Sequence, residues 1–341
     1  MIYSEIVSYE FCEDDFLPAK EELIKTNTIF KQKNETKWKN IYYQFSKNKG
    51  AVIGLISILI IIILAISVPI LSKYSYDAVD TTRQNLTPRI PGIEKLGIFN
   101  GFLNGINLYG VDSLKNEYFF FGTDILGRDL WTRVFVGTRI SLYVAGVAVL
   151  IDMIFGVTYG VISGYFGGTV DVIMQRIIEI IYGMPNLVVV TLIMIVIKPG
   201  LLTVILALMI TNWINMSRLV RAQVLKLKEQ EYVLAAKQLG ASDFYIIFHE
   251  ILPNTISSVI VMAMMSIPSA IFLESFLSFL GLGIPEPMAS LGSLISNGYK
   301  SMMIYPHMVI IPVIVFAILM ISFNLVADGL RDALDPNMKN I

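Results

Sequence analysis

The segment "GAVIGLISILIIIILAISVPIL", residues 50–71, decides the fold class of this chain. It contains no charged side chain, and a membrane-spanning α-helix needs about 20 mostly apolar residues. The hydrocarbon core of a bilayer offers no water to peptide groups, so a helix, which pairs its backbone groups internally, is the expected conformation. The sequence therefore predicts a transmembrane helix over residues 50–71.

The composition of the whole chain is typical of a membrane protein. Of its 341 residues, 55% are hydrophobic and only 16% are charged, and the mean hydropathy is +0.66. A soluble domain of this composition would expose a large apolar surface. The net charge of −1 argues against a basic face for nucleic acid, so no nucleic-acid partner is expected.

Cysteine and histidine usage argues against a disulfide or a metal centre. The single cysteine, Cys12, allows no internal disulfide, and His249 and His307 lie far apart in the sequence. The first 22 residues hold seven acids and one lysine, whereas a signal peptide begins with basic residues followed at once by an apolar run. We therefore expect neither a metal site nor a cleavable signal peptide.

Five further apolar segments follow the first one. Together they predict an all-α polytopic membrane protein with six transmembrane helices, of which the third and fourth form a hairpin around Lys198-Pro199-Gly200. Six spans place both termini on the same side of the membrane. The predicted spans are residues 50–71, 139–162, 182–197, 201–214, 255–280 and 307–326.

Lysine and arginine predict the orientation, because short cytoplasmic loops are enriched in them. The segment 218–252 contains five basic residues and the flank 37–49 just before the first span contains four lysines, whereas the loop 281–306 contains Lys300 alone. Both termini are therefore predicted to be cytoplasmic, as are residues 163–181. The predicted organisation is a cytoplasmic tail (1–49), a first transmembrane helix (50–71), an extracytoplasmic loop (72–137), a domain of five helices (138–328) and a cytoplasmic tail (329–341).

Within the external loop, the stretch "GTDILGRDLWTRVF", residues 122–135, has the pattern of an amphipathic helix. Leu126, Leu130 and Val134 share one apolar stripe, and the charged side chains lie off it. The pattern predicts an interfacial helix at the membrane surface, which would brace the second span.

The stretch "EYVLAAKQLG", residues 231–240, is polar although strongly apolar segments lie on either side. Glu231 suits the positive end of a short helix, and Gly240 favours the left-handed turn that ends one. Ser242 or Asp243 can cap the helix that follows. The sequence predicts a helix–turn–helix elbow beneath the membrane, either purely structural or shaped to enter a groove on a partner.

The elbow resembles the EAA loop of the membrane subunits of ATP-binding-cassette (ABC) importers. The matching residues are Glu231, Ala235, Ala236, Gly240, Leu252 and Pro253. Further segments resemble the oligopeptide and dipeptide branch of that family, in particular its C-type subunit with the additional N-terminal span. These segments are "FGTDILGRDLWTRVFVGTRISL" (121–142), "GYFGGTVDVIMQRIIEIIYGMP" (164–185), "LSFLGLGIPEP" (277–287) and "NLVADGLRDALDP" (324–336).

The resemblance implies the type I ABC importer transmembrane fold and the function of a permease subunit in the bacterial cytoplasmic (inner) membrane, surrounded by membrane lipids. Its EAA loop, residues 218–253, would couple to ATPase subunits. The implied partners are a homologous second permease subunit forming a heterodimer, two cytoplasmic ATP-binding subunits, an extracytoplasmic substrate-binding lipoprotein or periplasmic protein, and a peptide substrate.

The chain itself is expected to be neither an enzyme nor a cofactor-binding protein. The phosphate-binding motif G-x-x-x-x-G-K-[ST] does not occur in the sequence. ATP would therefore be bound by the partner subunits, and no catalytic residue is predicted.

Two carboxylates and three glycines inside the predicted spans call for separate explanations. A charged group is costly in the membrane, so Asp152 and Glu274 should each line a pore or make a buried hydrogen bond. Gly156, Gly160 and Gly164 repeat every four residues, which predicts close helix packing.

Other function classes remain open at this point. An ion-coupled secondary transporter would need paired charged groups near the midplane and often shows inverted repeats, but only Asp152 and Glu274 are present and no clear repeat is visible. A membrane anchor or scaffold would not need the elbow. Within the ABC family, similar permeases carry oligopeptides, dipeptides, haem, nickel or peptide pheromones, so the cargo is also open.

Overall fold

The computed structural model describes residues 37–334, which are mostly helical apart from one irregular lobe at 72–129. Cys12 and most of the predicted N-terminal tail lie outside the described residues, as do residues 335–341 of the predicted C-terminal tail. The helices are α1 (Lys37–Lys47), α2 (Lys49–Leu71), α3 (Leu130–Phe166), α4 (Gly168–Tyr182), α5 (Asn186–Val196), α6 (Leu201–Leu227), α7 (Glu231–Gln238), α8 (Asp243–Phe279), α9 (Leu291–Lys300) and α10 (His307–Leu334).

The membrane-spanning capacity of the chain lies in its longest helices. Helices α2, α3, α6, α8 and α10 are long and apolar enough to cross a membrane, and the pair α4 and α5 makes a sixth span if the two are counted together. The prediction of an all-α polytopic membrane protein is confirmed.

The third predicted span, residues 182–197, is not a straight helix of spanning length. Helix α5 has 11 residues, so it is about 16 Å long and too short to cross by itself. It is bent by 81° relative to α4. The bend lies at Gly183-Met184-Pro185, where Pro185 cannot donate a backbone hydrogen bond to a continuing helix. Most of the segment 163–181, predicted to be a cytoplasmic connection, belongs to the helix α4, Gly168–Tyr182.

Two interior clusters hold the helices together. The larger cluster joins α2, α3, α8 and α10, and it includes the fully buried Val144, Ala145, Ile271 and Leu319. The smaller one, the elbow cluster, joins α3 and α6 to the region after residue 230. Its buried members are Val149, Val161, Met216, Val220, Val224, Val233, Ile246, Ile251, Val259 and Ala263.

The lobe, residues 72–129, has a small core of its own, formed by Leu86, Tyr109, Leu114 and Phe119. It contains an antiparallel pair of two-residue strands, β1 (Phe102–Leu103) and β2 (Ile106–Asn107). Three 3-10 turns complete it, at Thr81–Arg83, Ile93–Leu96 and Asp112–Leu114.

The interfacial helix predicted over residues 122–135 is not formed as a separate element. A helix begins only at Leu130, and it continues directly into the spanning helix α3. Residues before it turn back on themselves, because Gly127 has φ +75° and packs so closely that an added Cβ would lie 1.8 Å from the carbonyl oxygen of Asp80. Asp129 caps α3 by accepting a hydrogen bond from the backbone N–H of Thr132 at 3.0 Å.

Candidate functional site

The elbow, residues 231–253, has the local structure that its sequence predicts. Helix α7 begins with Glu231 in its first turn and ends before Gly240, whose φ of +84° lies in the left-handed region. Ser242 then caps α8, since its hydroxyl accepts a hydrogen bond from the backbone N–H of Tyr245 at 3.3 Å. The turn between the two helices is therefore set by one glycine and one capping serine.

Helix α7 has an anchored face and an open face. Val233 is buried in the elbow cluster, and Ala236 is half-buried against it. Glu231, Ala235 and Gly240 are exposed on the open side. Apolar side chains are also exposed on and just after α7, with 47% for Leu234 and 88% for Leu239, and at the start of α8, with 71% for Phe244 and 49% for Phe248.

The return from the elbow into the span is made by a π-helical turn, Ile246–Ile251, just before Leu252 and Pro253. Pro253 has no backbone N–H to donate, so the ordinary helical bonding pattern is interrupted there. Leu252 is half-buried against the elbow cluster, whereas Pro253 is exposed. Asn254 connects the two arms of the elbow by donating to the backbone oxygen of Glu250 at 2.6 Å and to the Tyr232 hydroxyl at 3.3 Å.

A polar cluster next to the elbow joins three helices. Arg221 of α6 donates to both carboxylate oxygens of Asp171 in α4, at 2.6 and 2.5 Å. Ser163 near the end of α3 donates to the same carboxylate at 2.5 Å. Lys228 donates to the backbone oxygen of Gly164 at 2.9 Å. Tyr165 extends the connection to the elbow itself, since its hydroxyl donates to Asp243 at 2.7 Å.

The three glycines of α3 lie directly against the backbone of α6. A Cβ added to Gly160 would lie 2.6 Å from the carbonyl oxygen of Ser217, closer than real Cβ atoms approach. Added Cβ atoms at Gly156 and Gly164 would lie 2.6 Å from Met216 and 2.9 Å from Val224. The repeat therefore lets two spanning helices approach closely beside the elbow, which is the arrangement that small residues allow in membranes.

The two carboxylates inside the spans have different surroundings. Glu274 is fully buried and accepts hydrogen bonds from Ser141 and Ser278 at 2.8 Å each and from Ser275 at 3.3 Å. Asp152 is also buried, but it lies in a π-helical turn and its Oδ1 has no hydrogen-bond partner. The buried hydrogen-bond alternative thus describes Glu274, whereas Asp152 keeps one unsatisfied oxygen.

Sequence reasoning did not find a charged network at the opposite end of the spans. The guanidinium of Arg128 donates to Glu286 at 2.9 and 3.0 Å and to Asp124 at 2.7 Å. The hydrogen bond from Arg128 holds the pKa of Glu286 below its usual range. The charged residues of "DILGRD", residues 124–129, indicate a polar site before α3. Glu286, the partner of Arg128, lies 158 positions away in the sequence, so the pair could not be predicted.

Models of two protein families match this chain. Residues 156–340 match the binding-protein-dependent transport system inner membrane component, and residues 36–88 match the N-terminal transmembrane domain of oligopeptide transport permease C. The first match includes the elbow, the Asp171–Arg221 cluster and Glu274.

Characterised relatives are similar along most of their length. The chain is 42% identical over 308 residues to the oligopeptide transport system permease protein OppC of Bacillus subtilis (strain 168), which covers 90% of this chain and 92% of the relative. It is 42% identical over 297 residues to the dipeptide transport system permease protein DppC of the same organism, covering 87% and 84%. To OppC of Escherichia coli (strain K12) it is 37% identical over 299 residues, covering 88% and 91%.

Proposed function

Because this chain belongs to the family of binding-protein-dependent transport system inner membrane components, we propose that it is the permease subunit of an ATP-driven peptide importer and forms half of a translocation pore. A peptide cargo is supported by relatives that are named for oligopeptide and dipeptide transport. The alternative cargoes, nickel or another non-peptide solute, have no comparable support.

The elbow is the surface on which a cytoplasmic ATPase subunit docks. The observation that carries this assignment is the open face around Ala235 and Leu239, which is small at its centre and apolar around it, while the opposite face is anchored in the elbow cluster. Exposed apolar side chains in such a concentrated group mark a surface that a partner covers. A short helix with a flat, small centre fits a groove on that partner.

Docking at the elbow would move the spans through the contacts beside it. The Tyr165–Asp243 hydrogen bond and the Arg221–Asp171 pair connect the elbow to α3, α4 and α6. Because Gly160 packs directly against the backbone of Ser217, α3 and α6 would move as one unit. A shift of the docked elbow is then transmitted to two spanning helices, which is how a rigid-body change between two states opens or closes a path.

The complete transporter would contain this chain, a homologous second permease subunit, two cytoplasmic ATP-binding subunits and an external substrate-binding protein. ATP would be bound and hydrolysed by the ATP-binding subunits, and this chain would hold no cofactor and carry out no catalysis. Both termini would face the cytoplasm, in agreement with the basic residues of segment 218–252.

An Ala235→Trp substitution tests the docking assignment. Ala235 is exposed, so tryptophan there should prevent entry into the partner's groove without disturbing the fold. Ala236 is half-buried, so the same substitution there would also disturb the packing of the elbow cluster. We expect loss of co-purifying ATPase subunits and of ATP-dependent uptake, with normal membrane insertion. Both are measured on the complex expressed in its native membrane.

The matched control is Ala78→Trp, an exposed alanine of the lobe. It should retain ATPase association and uptake. If Ala235→Trp retains both as well, the elbow is not the docking surface.

A further inference from the structure

A cavity of about 490 Å³ lies between the end of α2, the lobe and the first turn of α3. Its volume is within the range of roughly 300–1,000 Å³ that is usual for small-molecule sites. Nothing in the proposed transport function uses this cavity, which is far along the chain from the elbow. The neighbouring surface of α2 is apolar and exposed, with Ile66 52%, Ile70 73% and Leu71 81% exposed, so the cavity lies beside a surface that lipid can cover.

The lining of the cavity is divided into an apolar part and a polar part. The apolar part consists of Leu64, Val68 and Leu71 on α2, with Phe120 and Trp131 opposite them. The polar part lies beyond the end of α2 and includes Lys73 and Tyr118. A molecule that fills such a cavity needs an apolar chain next to a polar, charged head.

The length of α2 and the position of Trp131 place the cavity near the boundary between hydrocarbon and lipid headgroups. Helix α2 has 23 residues and is therefore about 34 Å long, slightly more than the hydrocarbon thickness of about 30 Å. Its last two turns line the apolar part. Trp131 is held in place by edge contacts with Phe121 and Phe135, with ring centroids 4.6 and 4.8 Å apart, and tryptophan is enriched at this level of membrane proteins.

The charges around the cavity leave Lys73 available for an anion. Its side chain is 74% exposed and contacts Glu117 at 3.3 Å, but Arg83 also faces that carboxylate at 3.7 Å. Lys73 can therefore turn toward a ligand, because Glu117 would still have Arg83 as a nearby cation. The other acid of the lining, Asp129, is already hydrogen-bonded to the backbone N–H and hydroxyl of Thr132, at 3.0 and 2.6 Å.

From the divided lining, the depth and the exposed ammonium group of Lys73, we propose that the cavity binds one glycerophospholipid from the adjacent leaflet. The lipid phosphate binds Lys73, and an acyl chain lies along Leu64, Val68 and Leu71. The bound lipid fills the gap between the lobe and the spans, so it holds the lobe against α2 and α3.

Native mass spectrometry of the whole transporter complex, purified from membranes containing phosphatidylethanolamine and phosphatidylglycerol, tests the proposal. We expect Lys73→Glu to reduce the retained phospholipid at least about fivefold, the scale expected for one lysine near an anionic headgroup, while Lys73→Arg retains it. The control Lys95→Glu removes an exposed lysine of the lobe that does not line the cavity, and it should retain the lipid.

A second pair of variants tests the apolar part. Ser67→Trp should fill the cavity and displace the lipid, whereas Ser57→Trp, at another half-buried serine of α2, should not. Equal lipid retention in Lys73→Glu and Lys95→Glu, or in Ser67→Trp and Ser57→Trp, would mean that only non-specific surrounding lipid is bound and would overturn the proposal. Displacement of the lipid by inorganic phosphate alone would overturn the assignment of an acyl chain to the apolar part.

Discussion

Gly160 shows how a single missing side chain determines the packing of two spanning helices. Its neighbours are the carbonyl oxygen of Ser217, the side chain of Val220 and the backbone nitrogen of Arg221, all within 3.0 Å of where a Cβ would lie. Two of those three atoms belong to the backbone, which cannot move aside as a flexible side chain can. The close approach of α3 and α6 therefore depends on glycine at this position.

We expect Gly160→Ala to destabilise the protein, because overpacking of a well-packed interior typically costs about 1–3 kcal/mol. Gly146 in the same helix is the matched control, since a Cβ added there meets no atom within 4 Å. Gly146→Ala should be neutral or stabilise α3 by up to about 1 kcal/mol, as alanine favours helix. The melting temperatures of the two purified variant complexes, each compared with wild type, test both expectations. Equal melting temperatures for the two variants would contradict the packing argument.

The two carboxylates inside the spans show that sequence position alone does not determine the hydrogen-bond partners of a buried acid. Both Asp152 and Glu274 are acids within apolar helices, and the cost of burying a charge is the same argument for each. The outcome differs because Glu274 accepts hydrogen bonds from three serine hydroxyls, Ser275 and Ser278 on its own helix and Ser141 on α3. Only Ser275 and Ser278 are near Glu274 in the sequence, so the contact with α3 requires the folded structure.

At the scale of elements, hydropathy and capping signals predicted those helices and turns that depend only on neighbouring residues in the sequence. The spans α2 and α10 and the elbow followed from apolar length, from Gly240 and from Ser242. The prediction of a helix over residues 122–135 was wrong. The apolar stripe of Leu126, Leu130 and Val134 carries no information about the close packing of Gly127 against the backbone of Asp80. The bend between α4 and α5 was missed for a similar reason, because the hydropathy of a segment does not indicate the angle between consecutive helices.

The loop between α8 and α9 is fastened to the turn before α3 by an ion pair, and this contact should depend on pH. The hydrogen bond from Arg128 lowers the pKa of Glu286, with smaller contributions from Arg133 at 3.8 Å and Asn297 at 3.0 Å. A carboxyl with a lowered pKa stabilises the folded state above its ordinary pKa, and this stabilisation is lost as the pH falls through the lowered value.

The wild-type complex should therefore lose melting temperature more steeply than Glu286→Gln, which cannot ionise, once the pH falls below 4.5, the ordinary pKa of a glutamate. At neutral pH the variant should be the less stable of the two. Glu229→Gln, an exposed carboxylate near the elbow, is the control and should keep the wild-type pH profile. Parallel curves for wild type and Glu286→Gln would show that the ion pair contributes nothing measurable.

For the whole molecule, the proposed function requires that energy enter from a docked ATPase subunit rather than from an ion gradient. The elbow is the proposed docking face, and the Glu274 carboxylate already accepts hydrogen bonds from serine hydroxyls of this chain. We therefore expect reconstituted complexes in vesicles to accumulate labelled dipeptide only when ATP and the ATP-binding subunits are present. A protonophore that removes the ion gradient should leave the initial rate unchanged, because no step depends on proton movement. Vesicles that hold this chain and its permease partner alone should show no uphill uptake. Gradient-driven accumulation without ATP would instead favour an ion-coupled transporter, and it would direct attention to the unsatisfied oxygen of Asp152.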